Sequence, residues 1–174
     1  WSGEYGAQLS RVSGLRRLCL RVPGWADEFR VTVNGVAVEC HSNHGFCAID
    51  REWADGDVVR VTCPMAPKWV SAHPSVLSCA GRVALVRGPL IYCMEQLDND
   101  FVPQHWSADT AGAIEDSEGH GVSAAGCLDS AAGPELYGPG SRVASSPSTG
   151  RFVPYYTWAN RGPNAMQVWV RRRG

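Results

Sequence analysis

Apolar and polar residues alternate through much of the first half of the chain. Leu18, Leu20 and Val22 alternate with Cys19 and Arg21 until Pro23-Gly24 breaks the run, which predicts a strand and then a turn. Phe29, Val31 and Val33 alternate with Arg30, Thr32 and Asn34; Asn34-Gly35 follows, and Val36 and Val38 carry the pattern on. Alternating runs around Asn-Gly predict a hairpin, because a type I′ turn needs positive φ at both central residues. Residues 46–50 read as a short strand and Asp55-Gly56 as a turn. Val59, Val61 and Cys63 alternate with Arg60 and Thr62 in the next strand, which Pro64 and Pro67 end because neither can donate to a central ladder.

Residues 68–80 read as a connection anchored by Trp69 and Val70. The stretch 82–95, RVALVRGPLIYCME, is the most apolar and suits a strand buried on both faces, with Gly88-Pro89 as a bulge or bend within it. From Asp98 to Gly150 the chain is rich in Ala, Gly and Ser and no period persists. Loops are expected there, partly disordered, with weak strands around Gly121 to Leu128. Residues 152–158 and 165–171 then read as two closing strands around Arg161-Gly162-Pro163.

No segment sustains a 3.6-residue period, so no long helix is expected. Short strands spaced by turns predict an all-β chain: an antiparallel, jelly-roll-like β-sandwich in two small lobes. The first lobe is placed at residues 1–76. It is expected to be truncated at its N-terminal edge, because the chain opens at Trp1 just before a strand. The second lobe is placed at 77–174, with an irregular insert at 103–150.

Composition agrees. Hydrophobic residues make up 44% and charged residues 19%, the balance of a folded globular chain. With 19 Gly and 11 Pro, backbone breakers favour short strands over helices. The net charge of -1 supplies no field to draw the chain to nucleic acid or an anionic membrane. Arg171-Arg172-Arg173, the only basic run, reads as a solvated tail. No apolar stretch approaches the ~20 residues of a membrane helix. The 7 cysteines are irregularly spaced and lack a C-x-x-C pair, so reduced thiols and a cytoplasmic setting are expected, with one or two disulfides left open.

Three clusters carry candidate chemistry. Cys40, His41, His44 and Cys47 are four soft ligands within eight residues, of the kind zinc takes tetrahedrally. Their spacing matches no common finger, and the competing reading is a polar loop with Cys47 facing the core. Asp50, Glu52, Asp55 and Asp57 around Gly56 have the oxygen density of a calcium loop. They lack its regular spacing, so a turn with Arg51 or Arg60 as charge partner competes. Trp25, Trp53, Trp69, Trp106, Trp158 and Trp169, with Tyr155 and Tyr156, are aromatic-rich enough to offer flat faces to a sugar. Core packing is the alternative. No G-x-S-x-G elbow and no carboxylate pair facing a cleft is recognisable, so no catalytic residue is assigned.

Six segments, in order, resemble the C-terminal part of glycoside hydrolase family 127, the β-L-arabinofuranosidase-like enzymes. They are LCLRVPGWA (18–26), VTVNGVAV (31–38), FCAIDREWADGDVV (46–59), PMAPKWVSAHPSV (64–76), GRVALVRGPLIYCMEQLDN (81–99) and VPYYTWANRGPNAMQVWV (153–170). The resemblance implies a non-catalytic β-sandwich region bracing an (α/α)6 catalytic barrel that these residues do not include. That barrel would be its intramolecular partner, and a homodimer contact is a further expectation. Family chemistry is placed in the barrel, on a zinc-bound cysteine from a Cys-Cys doublet and a glutamate acid/base. This chain has no adjacent cysteines. The resemblance therefore carries no catalytic or zinc residue over to it, and the chain alone is expected to be inactive. It also offers Trp106, Tyr155, Tyr156 and Trp158 as aromatics of a seam against the barrel, beside the alternative of an independent carbohydrate-binding module.

Overall fold

A computed structural model describes residues 3–133, 136–137 and 143–173. The chain divides into two compact units, Trp1–Ala66 and Pro67–Gly174. Trp1 and Ser2, on which the expected N-terminal truncation falls, lie outside the described residues.

The first unit contains strands β1 (Glu4–Gln8), β2 (Gly14–Arg21), β3 (Arg30–Val33), β4 (Val36–Val38), β5 (Ser42–Asn43), β6 (Phe46–Trp53) and β7 (Val58–Thr62). One sheet runs in the order β1-β7-β3-β4 and the other in the order β2-β6-β5. Val31 and Val33, Val59 and Val61, and Cys47, Ile49 and Trp53 point inward from the two sheets and share one core. This is a two-layer sandwich, and its alternation is the one the sequence displays. Each fully buried aliphatic side chain contributes about 1.5–3 kcal/mol. The Asn34-Gly35 hairpin forms as expected, with φ of 51° and 79° and Val33 opposite Val36.

The second unit contains β8 (Pro67–Ser71), β9 (Arg82–Arg87), β10 (Leu90–Glu95), β11 (Trp106–Ala108), β12 (Ile114–Asp116), β13 (Val122–Ala131), β14 (Val143–Pro154), β15 (Met166–Gln167) and β16 (Val170–Arg172). Neighbouring strands pair in the order β10-β14-β13-β11-β16-β9, and β9 pairs again with β10. Six strands thus close into a barrel, which removes the free edges that an open sandwich would leave. A jelly-roll sandwich was expected here. The difference begins at Gly88-Pro89, which is a full reversal rather than a bend: Gly88 adopts φ 53° and Arg87 pairs with Leu90. The single long strand expected at 82–95 is therefore the β9–β10 hairpin.

Pro67–Ser71 pairs with β9 along its whole length, so the units divide after Ala66 rather than after residue 76. The stretch 103–150 is not an irregular insert either. It supplies β11, β12, β13 and most of β14, and β13 pairs with β14 over ten positions, from Val122↔Phe152 to Ala131↔Val143. Its parts at 134–135 and 138–142 lie outside the described residues.

Trp106, fully buried, fills the barrel with Leu85, Tyr92, Met94 and Phe152. Its ring meets Phe152 edge-on at 5.7 Å. A Cβ on Gly126 would collide with the Trp106 indole, and one on Gly150 would lie 2.5 Å from Met94 Cε and 2.9 Å from the indole. Glycine at those two places makes room for the largest side chain of the core.

Candidate functional site

A polar network that reaches across 69 positions of the second unit centres on Glu95, the last residue of β10. Its side chain is fully buried. A buried carboxylate is costly unless it is paired and hydrogen-bonded. Here Arg161 Nη2 donates to Oε2 at 2.5 Å. Asn164 Nδ2 and the Ala159 N–H donate to Oε1 at 3.0 and 3.1 Å. Burial pushes the Glu95 pKa up, but the donors from Asn164, Arg161 and Ala159 outweigh it and hold the carboxyl below its ordinary value.

Arg161 also grips Asp98 with both terminal nitrogens, at 2.6 and 2.5 Å. Asn164 Oδ1 accepts from the Gln96 N–H at 3.1 Å. Asn99 completes the lock: its Nδ2 donates to the Glu95 carbonyl at 2.7 Å and the Arg151 carbonyl at 3.1 Å, and its Oδ1 accepts from the Arg151 N–H at 2.9 Å. The 95–99 turn, the 158–164 loop and β14 are thereby fastened together. With no exposure and three donors, Glu95 is a positioning group rather than a proton donor or acceptor for a ligand.

The fastened loop presents aromatic surface. Tyr155 and Trp158 stack with ring centroids 6.1 Å apart and planes 20° apart. Tyr155, Tyr156 and Trp158 are 45%, 58% and 40% exposed. Trp106, grouped with them as a contact aromatic, is inside the barrel and presents nothing outward. Beside the loop, a cleft of about 830 Å³ is lined by Asp98, Ser117, Glu118, Ser123, Arg151, Thr157 and Arg161.

The zinc candidate does not assemble. Cys40 and Cys47 are joined to each other in a disulfide, their Cα atoms 5.5 Å apart, within the span such a bond requires. His41 projects into solvent beside Glu39, and His44 sits in a turn at φ 49°. This is one disulfide beside five free cysteines, within the one or two that the sequence leaves open. The calcium candidate is likewise dispersed. Asp50 pairs with Arg17 at 2.7–2.8 Å, and Asp55 accepts from the Arg11 N–H. Asp57 accepts from the Ala54 N–H at 2.9 Å and Asn34 Nδ2 at 2.8 Å. Among the described residues no three His, Cys, Asp or Glu side chains gather as metal ligands, so the residues present do not fit a zinc ion.

The Glu95–Arg161 lock was missed in the sequence, although both residues lie in segments that carry the family resemblance. A signal was available: a carboxylate ending the most apolar run of the chain requires a cation, and Arg161 follows a turn-forming stretch.

Residues 67–171 match the family model described as the glycoside hydrolase family 127 C-terminal domain. Residues 1–65 match the one described as β-L-arabinofuranosidase, GH127 middle domain. These matches place the chain among the β domains of glycoside hydrolases. It belongs to glycoside hydrolase family 127. The chain is 33% identical to a non-reducing end β-L-arabinofuranosidase of Bifidobacterium longum, covering 99% of itself and 29% of that protein. The crystal structure of a GH127 β-L-arabinofuranosidase from Geobacillus stearothermophilus T6 superposes with a TM-score of 0.93 at 32% identity, over 99% of this chain and 29% of that one. A GH127 β-arabinofuranosidase at 28% identity gives a TM-score of 0.84. The chain thus spans under a third of its relatives' length. No helix among the described residues is long and apolar enough to cross a membrane.

Proposed function

We propose that this chain is a non-catalytic accessory region of a family 127 hydrolase acting on β-L-arabinofuranosides, and that it braces an (α/α)6 catalytic barrel. The observation that carries this reading is the succession of two family domains across the chain, at 1–65 and 67–171, on 29% of the relatives' length. The chemistry of the described residues supports it. Charged groups are spent on locking loops, as Glu95 and Arg161 are, and the clustered Cys and His residues do not assemble as ligands. The mechanism is mechanical: a closed barrel and a sandwich offer rigid surfaces against which a catalytic domain buries apolar area.

The test is a chimera in which this chain replaces the matching region of the Geobacillus relative. The chimera is expected to hydrolyse a β-L-arabinofuranoside, the relative lacking that region to lose solubility or activity, and this chain alone to show no turnover. Turnover by the chain alone, or full activity without the region, would overturn the reading.

A second reading, a carbohydrate-binding module, is favoured by one observation: the stacked, half-exposed Tyr155 and Trp158.

A further inference from the structure

Two clefts on the surface of the barrel unit adjoin one another, with Asp98, Ser123 and Arg151 in the lining of both. One is lined also by Glu118, Thr157 and Arg161, and the other by Asp100, Glu115 and Thr149. We propose that the surface formed by these adjoining clefts binds a neutral oligosaccharide, and that the Tyr155–Trp158 stack, outside the cleft linings but next in sequence to Thr157, is a platform for a further sugar ring. The proposal deepens the carbohydrate-contact reading and is independent of the bracing role.

Charge selects the ligand class. The groove carries the carboxylates of Asp98, Asp100, Glu115 and Glu118 against the guanidiniums of Arg151 and Arg161. Arg161 is already neutralised by Glu95 and Asp98. An anionic ligand such as a phosphate or a uronic acid would meet net repulsion. A neutral polyol would meet donors and acceptors in alternation, which is what hydroxyl groups use, since each both donates and accepts. Sites for such ligands combine a concave surface with a few fixed polar groups.

The platform is built in advance. Thr157, which lines the groove, lies between Tyr155 and Trp158 in sequence, and its hydroxyl donates to the Pro154 carbonyl at 2.7 Å. The Trp158 N–H closes the turn onto the Tyr155 carbonyl at 3.1 Å. The Ala159 N–H and Arg161 then tie the same turn to buried Glu95. A surface ordered before binding loses little freedom on binding. The two rings lie near-parallel with centroids 6.1 Å apart and keep area open, at 45% for Tyr155 and 40% for Trp158.

The test titrates the full chain with neutral pentose oligosaccharides, following tryptophan fluorescence and backbone amide NMR shifts. Saturable shifts are expected at 98–101, 115–123 and 149–161 and nowhere in the first unit. Trp158→Ala and Arg151→Ala are each expected to weaken binding by roughly tenfold, the effect of losing one well-placed contact. Arg151 holds Asn99 through its backbone, so Arg151→Ala keeps that lock, and an unchanged thermal midpoint checks it. Three results would overturn the site: no shifts at saturating sugar, binding unaffected by both variants, or tighter binding of an acidic sugar or a basic peptide at the same residues. An active chimera whose groove binds no sugar would sink the groove and leave the brace standing.

Discussion

Arg161 and Glu95 meet across 66 positions of sequence, Nη2 to Oε2 at 2.5 Å, with the carboxylate fully buried and the guanidinium half exposed. The asymmetry sets what each substitution does. Arg161→Ala leaves a buried charge with only Asn164 and the Ala159 N–H, and removing one partner of a buried pair costs about 3 kcal/mol. Glu95→Gln removes the buried charge and leaves Arg161 its bonds to Asp98, but its amide NH2 then faces one of the donors that the carboxylate accepted from, a cost of about 1–3 kcal/mol. Urea denaturation of the chain should rank Arg161→Ala below Glu95→Gln, and the reverse order would refute the buried-charge account.

The same carboxylate makes the second unit acid-sensitive. Its folded pKa is lowered from the ordinary glutamate value. The unfolded chain then binds the proton more readily than the folded one, so stability rises with pH through this window. The contribution is fully present above the unfolded glutamate value of about 4.3 and is lost as pH falls through the folded one. Urea midpoints measured from pH 6 downward should therefore decline below about pH 4.3, and Glu95→Gln should flatten that decline.

Inside the barrel, Gly126 and Gly150 are fixed by the volume of Trp106. Gly126→Ala puts a methyl group into the indole, and Gly150→Ala crowds both Met94 and the indole. Overpacking of this kind costs about 1–3 kcal/mol. Gly133→Ala, where an added Cβ meets nothing within 4 Å, should cost little. Thermal midpoints of the three variants, with near-ultraviolet circular dichroism reporting on Trp106, decide it.

How much of this was legible in the sequence follows from how the inward positions are filled. In the first unit Val31, Val33, Val59 and Val61 alternate with polar residues, and strands, hairpin and core are visible directly. In the barrel the inward positions of β13 and β14 include Ala124, Gly126 and Gly150, and a single Trp106 from β11 supplies the bulk opposite them. Small residues leave no sustained hydrophobic period, so β13 reads only as a weak strand around Gly121 to Leu128, and most of β14, before Phe152, reads as loop. The Glu95 lock was hidden for a different reason. Its partners lie 64 to 69 positions away, and it is the pairing of β10 with β14 and β15, the strands on either side of the 158–164 loop, that brings them together. The local clusters that drew attention, at 40–47 and 50–57, were close in sequence and are spent on a disulfide and on turns.

The cysteines provide a direct chemical check on the fold. Cys40 and Cys47 are bonded, leaving Cys19, Cys63, Cys79, Cys93 and Cys127 free. Thiol titration of the chain, unfolded without reductant, should give five thiols. A count of seven would remove the disulfide and reopen Cys40 and Cys47 as ligands. In the native state the five should separate by burial. Cys19 is exposed and Cys79 partly so, while Cys63, Cys93 and Cys127 are buried. Cys93 should be the slowest to alkylate. Its burial, together with the nearby carboxylates of Glu95 and Asp98, pushes its pKa up to about 12, and the thiolate is the reacting species. Reduction should then lower the stability of the first unit alone. A loop this short is tightened by the cross-link by roughly 2 kcal/mol on the chain-entropy account. The Trp106 near-ultraviolet signal should be unchanged, because the cross-link and the indole lie in different units.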